Sequence, residues 1–421
     1  MIYDQPAGTF SIQSLPILDL VEQHHLPLYV YDSQQMQTQF LRLSAAFNPV
    51  EHMLINYACK ANSNLAVLKI FQALGAGLDT VSINEVKMGL YVGFLPAQII
   101  FTPSGVSFAE LEEAIGLGVK INVDSIETLE YIGHKYPDLP LCIRINPHIM
   151  AGGNRNISVG HIDSKFGISV LQMPLVERIV KTLNIKIVGV HMHTGSDILD
   201  IDLFIRASEI LFDVAQKFID QLEYIDFGSG FKVQYKPNDY QTDIEDLGNR
   251  LSKLFNEFCF KNNKKLTLVF EPGKFLVSQS GYFFVRTNYV KQTISTVFAC
   301  VDSGFNHLIR PMFYDAFHEI VNITAPKGNP KIYNIVGYIC ETDTFAWNRK
   351  IPEIWIGDVL CFKNAGAYCF SMASHYNARC LPAEVLIHEG KSRIVRHRET
   401  FEDLLRNQTT DFDTLENIKK Q

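Results

Sequence analysis

The chain has 421 residues, 47% of them hydrophobic, which is too long for one ordinary core and apolar enough to bury two. Its formal net charge of -7 excludes the basic face that nucleic acid or an acidic membrane surface would need, and small-molecule chemistry becomes the expectation. No run approaches the ~20 apolar residues that span a bilayer, and the opening MIYDQPAGTF has neither a basic nor an apolar targeting segment, so a cytoplasmic protein is expected.

In chain order, residues 1–29 hold only short apolar runs and are expected to pack on the C-terminal part of the chain. Residues 30–280 alternate short apolar runs with helix-period segments, the pattern of repeated βα units on a parallel sheet. Eight runs can be counted: MLINY (53–57), GLDTV (77–81), IIFT (99–102), INVD (121–124), LCIRI (141–145), IVGVHMH (187–193), YIDFG (224–228) and LTLVFE (266–271). Eight is the number that closes a (β/α)8 barrel, and a doubly wound open sheet, which needs no such count, is the alternative. Helices follow, as in NLAVLKIFQAL and FAELEEAIGL, with Asn64 and Ser125 as capping residues near helix starts. Residues 146–166 form a Gly- and Asn-rich loop longer than ordinary βα connections. From 281 to 421 the sequence turns to alternating strands (GYFFVRTNYV, STVFACV, YNIVGYIC, DVLCFKN, AEVLIHE), which predicts a mainly β domain of sandwich or barrel type.

The eight cysteines form no C-x-x-C pair and read as reduced thiols. His191 and His193 form an H-x-H that lacks the helical spacing of a zinc site, and no metal is expected.

In a βα barrel the active site lies at the C-terminal ends of the strands, so the residues there are the ones to inspect. They are unusually polar: Lys60, Asp79, Arg144, His193, Asp226 with Gly228-Ser229-Gly230, and Glu271. Taken singly, each has an ordinary structural explanation. Together they make a cofactor site in outline. A partly desolvated lysine has its pKa depressed and can condense with an aldehyde. A carboxylate beside a pyridine nitrogen keeps that nitrogen protonated, and a glycine turn leaves room for phosphate.

The segments YACKANSN (57–64), GAGLDTVSINE (75–85), HMHTGSD (191–197), DFGSG (226–230), EPGK (271–274), CETD (340–343) and NAGAY (364–368) resemble the fold-type III pyridoxal-phosphate decarboxylases, and among them the diaminopimelate decarboxylases. The likeness runs in order from residue 28 or so to about 407. It implies an alanine racemase-like TIM barrel followed by a β domain, and pyridoxal 5'-phosphate as cofactor. It further implies decarboxylation of meso-2,6-diaminopimelate to L-lysine, the last step of lysine biosynthesis. On this resemblance Lys60 carries the cofactor, His193 stacks on its ring, and Ser196 with Gly228, Ser229 and Gly230 holds the phosphate. Glu271 pairs with the pyridinium, Gly273 and Tyr368 complete the cofactor set, and Asp79 and Arg144 form a supporting shell near Lys60.

Substrate choice depends on the far end of the molecule, since all amino acids look alike at the reacting end. A second amino-carboxylate needs a cation and an anion. By resemblance Arg310 and Tyr314 meet the distal carboxylate, Glu341 the distal ammonium, and Lys274 and Tyr368 also contact substrate. Lys274 departs from the family's commoner arginine (EPGR), which keeps the charge and loses bidentate geometry. Cys340 is the expected proton donor to the reacting carbon. In the family Cys340 and Glu341 enter the site of the neighbouring subunit, which implies a homodimer with shared active sites. The alternative is a relative acting on carboxynorspermidine or a basic amino acid.

Overall fold

The computed structural model describes residues 1–6, 8–149 and 163–409; most of the expected long loop (150–162) and the C-terminal 410–421 lie outside the described residues. Eight parallel strands close a barrel: strand one is Met53–Ala58, two Gly77–Thr80, three Ile99–Phe101, four Lys120–Val123, five Leu141–Asn146, six Ile187–Met192, seven Tyr224–Asp226 and eight Thr267–Phe270. Strand eight pairs with one and strand four with five, so each of the eight has a neighbour on both sides. They correspond to the eight apolar runs of the sequence. Strands five and six are buried at every position, because helices cover the outside while side chains fill the inside.

Short polar side chains start the barrel helices. Asn64 accepts from the Ala66 N–H, Ser82 from Glu85, Ser107 from Glu110, Ser125 from Thr128, Asp200 from Leu203 and Asp243 from Asp246. Each cap satisfies an N–H that the helix itself leaves open, and so fixes where the preceding loop ends.

The second unit is mainly β. It is built around the long strand Gly281–Gln292, antiparallel to Leu28–Asp32, Val297–Val301 and Val359–Lys363. Ala383–His388 runs parallel to Leu28–Asp32 on its other side. The chain therefore contributes a strand to this sheet before entering the barrel and returns to it afterwards. Ile12, Ile17, Leu20 and Val21 bury against Leu28, Val30, Phe284 and Val385 in one apolar cluster, so the N-terminal segment packs on this sheet.

The two units meet in a seam that requires glycine. A Cβ at Gly366 would collide with the Val277 carbonyl, and one at Gly281 with Gly366 itself. Gly366 donates its N–H to the Ser278 carbonyl at 3.1 Å, and Tyr368 donates to the Ala61 carbonyl at 2.8 Å. This brings the NAGAY loop of the second unit against the turn that carries Lys60.

Candidate active site

The C-terminal ends of the barrel strands converge on a recess whose wall includes Lys60, Asp79, Arg144, His191, His193, Ser196, Ser229, Gly230, Glu271, Gly273, Lys274 and Tyr368. Strand register explains part of this gathering. Arg144, His191 and Asp226 are direct partners on strands five, six and seven, and Glu271 follows strand eight at once.

Glu271 is 7% exposed. Its Oε2 lies 2.9 Å from His191 Nε2, while Oε1 is buried without a hydrogen-bond partner among the described residues. Burial alone would raise this carboxyl, but His191 and then Lys60 outweigh it and hold it down at about 2, so Glu271 is ionised at neutral pH. Burial lowers His191 against the pull of Glu271. A neutral His191 then donates from Nε2 to one oxygen of Glu271, with Asp226 as the carboxylate's second neighbour. Asp226 is the complement: burial and the neighbouring Glu271 charge push it well above the usual carboxylate range, and it accepts from the Gly228 N–H at 2.8 Å. The donor atoms of His191, Asp226 and Glu271 lie within 4.8 Å of one another, the makings of a cation site as well as of a hydrogen-bonded unit.

Lys60 Nζ is 3.5 Å from Asp79 Oδ2, with the lysine side chain 42% exposed to the cavity and the aspartate 2%. The expected depression of the lysine is not what the structure gives. Burial does lower it, but Asp79, Tyr368 and Glu271 raise it above the ordinary lysine value. Asp79 is itself pushed up to about 7, by burial first and the Glu271 charge second. A carboxylate titrating near neutrality beside a charged amine can take the proton that the amine must lose before its lone pair attacks.

His193 Nδ1 accepts from the Ser229 N–H at 3.4 Å, and burial lowers its pKa well below the usual value, so a neutral ring is held in place. The Ser229 hydroxyl donates to the Glu271 carbonyl at 2.9 Å. Gly228 and Gly230 have φ of 60° and 115°. A side chain on Gly228 would strike the Met192 carbonyl, and one on Gly230 the Gly195 carbonyl. The turn can thus lie directly against the HTGS segment.

The recess opens into an outer cavity of about 730 Å³ that shares Lys60, Arg144, His193, Ser196, Lys274 and Tyr368 with it and extends to Asp197, Lys232, Tyr235, Asp239, Arg310 and Tyr314. Arg310 is 9% exposed, lies over the Tyr235 and Tyr314 rings at 5.4 and 6.0 Å, and has a buried Nε with no partner among the described residues. Lys274 is ion-paired with Asp197.

Of the expected site residues, Gly228 shapes the turn without lining the cavity, and two others are not brought here. Cys340 and Glu341 line neither the recess nor the outer cavity and are exposed on the second unit, where Asn377 Nδ2 donates to Cys340 Sγ at 3.2 Å and the Tyr376 hydroxyl to Glu341 at 2.6 Å. Conversely, His191 and Asp197 were not anticipated as site residues. His191 had a signal, since it stands two residues before His193 and so faces the same side of a strand. Asp197 had only its place at the end of the HMHTGSD segment, because its partner Lys274 lies 77 residues away.

Residues 33–278 match the family described as pyridoxal-dependent decarboxylase, pyridoxal binding domain. The diaminopimelate decarboxylase of Methanothermobacter thermautotrophicus is 38% identical over 410 residues, covering 95% of this chain and 96% of its own. That of Aquifex aeolicus is 34% identical over 94% of each chain. Among solved structures, the Helicobacter pylori diaminopimelate decarboxylase complexed with L-lysine superposes with a TM-score of 0.85 at 34% identity, covering 93% of this chain and 98% of that one. The chain therefore belongs to the pyridoxal-dependent decarboxylase family, within its diaminopimelate decarboxylases.

Proposed function

We propose that this chain decarboxylates meso-diaminopimelate to L-lysine with pyridoxal 5'-phosphate, as the last step of lysine biosynthesis. One observation carries the reading: the ionised Glu271 and the buried Arg310, whose Nε has no partner among the described residues, lie in adjoining lobes of one cavity with Lys60 on the wall of both. The first suits a protonated ring nitrogen and the second a carboxylate. When bound, the cofactor would supply an electron sink for the bond to carbon dioxide that breaks.

The chain's own residues would act as follows. Lys60 binds the cofactor aldehyde, with Asp79 as the neighbouring proton acceptor. Glu271 keeps the proton on the ring nitrogen, and His191 keeps Glu271 oriented. His193 packs on the ring; Ser196, Ser229, Gly230, Gly273 and Tyr368 enclose the phosphate end, with Gly228 opening the turn. Arg310 and Tyr314 bind the distal carboxylate, with Lys274 alongside.

The test is carbon dioxide release from meso-diaminopimelate against lysine and ornithine, with an Arg310 variant as the probe of the distal end. Only diaminopimelate should be turned over well. Arg310→Ala should lower kcat/KM by about 10²-fold or more, as expected for truncating a buried charge that meets a ligand charge, while the visible absorption of bound cofactor stays unchanged. Lysine at that position should recover little, lacking the planar fork. An Arg310→Ala enzyme with wild-type kcat/KM would end the distal-carboxylate role.

We further propose a homodimer in which Cys340 and Glu341 complete the partner's site, Cys340 delivering a proton to the reacting carbon and Glu341 accepting from the distal ammonium. Their exposure in the single chain, away from the cavity, supports a role across an interface. Lys60→Ala and Cys340→Ala proteins should each be nearly inactive, and dissociating and reassociating a mixture should restore about a quarter of wild-type activity, the share given by random pairing with two sites per dimer. No recovery after verified subunit exchange would place Cys340 in its own chain's structure instead. A cytoplasmic location belongs to the same reading, supported by eight free cysteines. Among the described residues no helix is long and apolar enough to cross a membrane.

A further inference from the structure

The outer lobe of the cavity is lined by the cations Lys165, Lys232, Lys236, Lys274 and Arg310, beside the Lys60 and Arg144 it shares with the recess, and by two anions, Asp197 and Asp239. Lys232 pairs with Asp239 at 2.7 Å, Lys274 pairs with Asp197, Lys165 and Lys236 lie over the Phe166 and Phe317 rings, and Arg310 is the buried cation whose Nε has no partner among the described residues. That buried cation answers one carboxylate of a ligand. The ammonium beside that carboxylate then needs an acceptor, and the two aspartates differ in what they have to offer. Asp239 has both oxygens engaged, Oδ1 by Lys232 and Oδ2 by the Tyr235 N–H at 3.4 Å. Among the described residues Asp197 is engaged through Oδ1 alone, by Lys274, and its side chain remains 32% exposed on the cavity wall.

The backbone holds Asp197 in this place. It adopts φ of 62°, a left-handed conformation that Asp tolerates better than most residues, and the next residue is tied down by the Ile198 N–H donating to the Gly230 carbonyl at 2.9 Å. Lys274 in turn is 9% exposed and lies close enough to Arg310 and Lys232 to be repelled by both, so it keeps Asp197 near as its counter-charge.

We propose that Asp197 is a specificity-determining residue of this site: its free Oδ2 accepts the distal ammonium of the substrate while Arg310 binds the distal carboxylate. The ammonium has three protons, so Asp197 serves within the chain whether or not Glu341 reaches the same group from a partner. Lys274 fits the same scheme. Lys274 meets the aspartate at one oxygen, Oδ1, where an arginine fork would engage both, and this leaves the second aspartate oxygen for the ligand.

This inference rests on the reading that the far end of the substrate is an amino-carboxylate. The experiment compares two ligands that are alike at the reacting end: L-lysine, and 6-aminohexanoate, which is lysine without the α-ammonium. Their affinities for the cofactor-loaded enzyme are measured by titration calorimetry, for wild type, Asp197→Asn and Glu341→Gln, with the cofactor's visible absorption as the check on folding. Wild type should prefer L-lysine by about tenfold or more, the size of a charge-assisted hydrogen bond to an ammonium. Asp197→Asn should weaken L-lysine by about tenfold and leave 6-aminohexanoate unchanged or tighter, because Lys274 is released to its carboxylate. A preference for L-lysine that survives in Asp197→Asn overturns the proposal, whatever Glu341→Gln does. So does a wild type that fails to prefer L-lysine. In either case, continued carbon dioxide release from meso-diaminopimelate means that only the Asp197 role has failed, while absent release means that the substrate reading has failed with it.

Discussion

Lys60→Ala protein will retain no cofactor that borohydride can fix to the chain, and its decarboxylase activity will fall by about 10⁴-fold or more. Lys60 is the amine on the wall shared by the recess and the outer cavity, 3.5 Å from Asp79. Alanine removes both the covalent anchor and the one group placed to exchange with an incoming amine. Folding should survive, since a charged side chain open to a cavity contributes little packing. The measurement is cofactor trapped by borohydride and located by peptide mass, with circular dichroism as the folding control. A Lys60→Ala protein that still traps cofactor at the same stoichiometry would exclude Lys60 as the anchor.

Glu271→Gln carries the next largest expected effect, a fall in kcat of about 10²- to 10³-fold, the range found when one preorganised electrostatic partner is removed from a reacting centre. Glutamine has the same shape and can still meet His191, whose two ring nitrogens can exchange donor and acceptor roles. What is lost is the negative charge. His191 holds Glu271 ionised, while burial and the Glu271 charge push the neighbouring Asp226 well above the usual carboxylate range, so Glu271 is the carboxylate charge at this position. The bound cofactor's visible absorption should shift its pH dependence to lower pH, because the ring nitrogen loses the anion that favours its protonated form. An unchanged kcat with an unchanged pH profile would move the role of ring partner away from Glu271.

Much of this protein is legible in one dimension. The eight barrel strands follow from apolar runs separated by helix-period segments, because burial on both faces leaves a continuous hydrophobic signature that does not depend on which strand pairs with which. The caps at Asn64 and Ser125 are local as well, made within two or three residues. Lys60, Asp79, Arg144, His193 and Glu271 could be gathered from sequence because a closed barrel brings all strand ends to one face, so position along a strand stands in for position in space.

The remainder needed the tertiary structure, and the reason is distance along the chain. Nothing local places Leu28–Asp32 between Gly281–Gln292 and Ala383–His388, a pairing fixed by strands more than 240 residues downstream. The Gly366 seam, which sets Tyr368 beside the Lys60 turn, is a contact between two units that each read as independent. The charge on Lys60 was misjudged for the same reason. Desolvation can be guessed from a strand end, whereas the opposing pull of Asp79, Tyr368 and Glu271 depends on their convergence around the amine. Exposure of Cys340 and Glu341, and the pairing of Asp197 with Lys274, were likewise decided only when the folded chain fixed which charges lie within a few ångströms of one another. Sequence determined which residue types stand at which strand ends; folding determined their neighbours, and electrostatic interactions that fall off with distance and burial made those neighbours decide the protonation of each group.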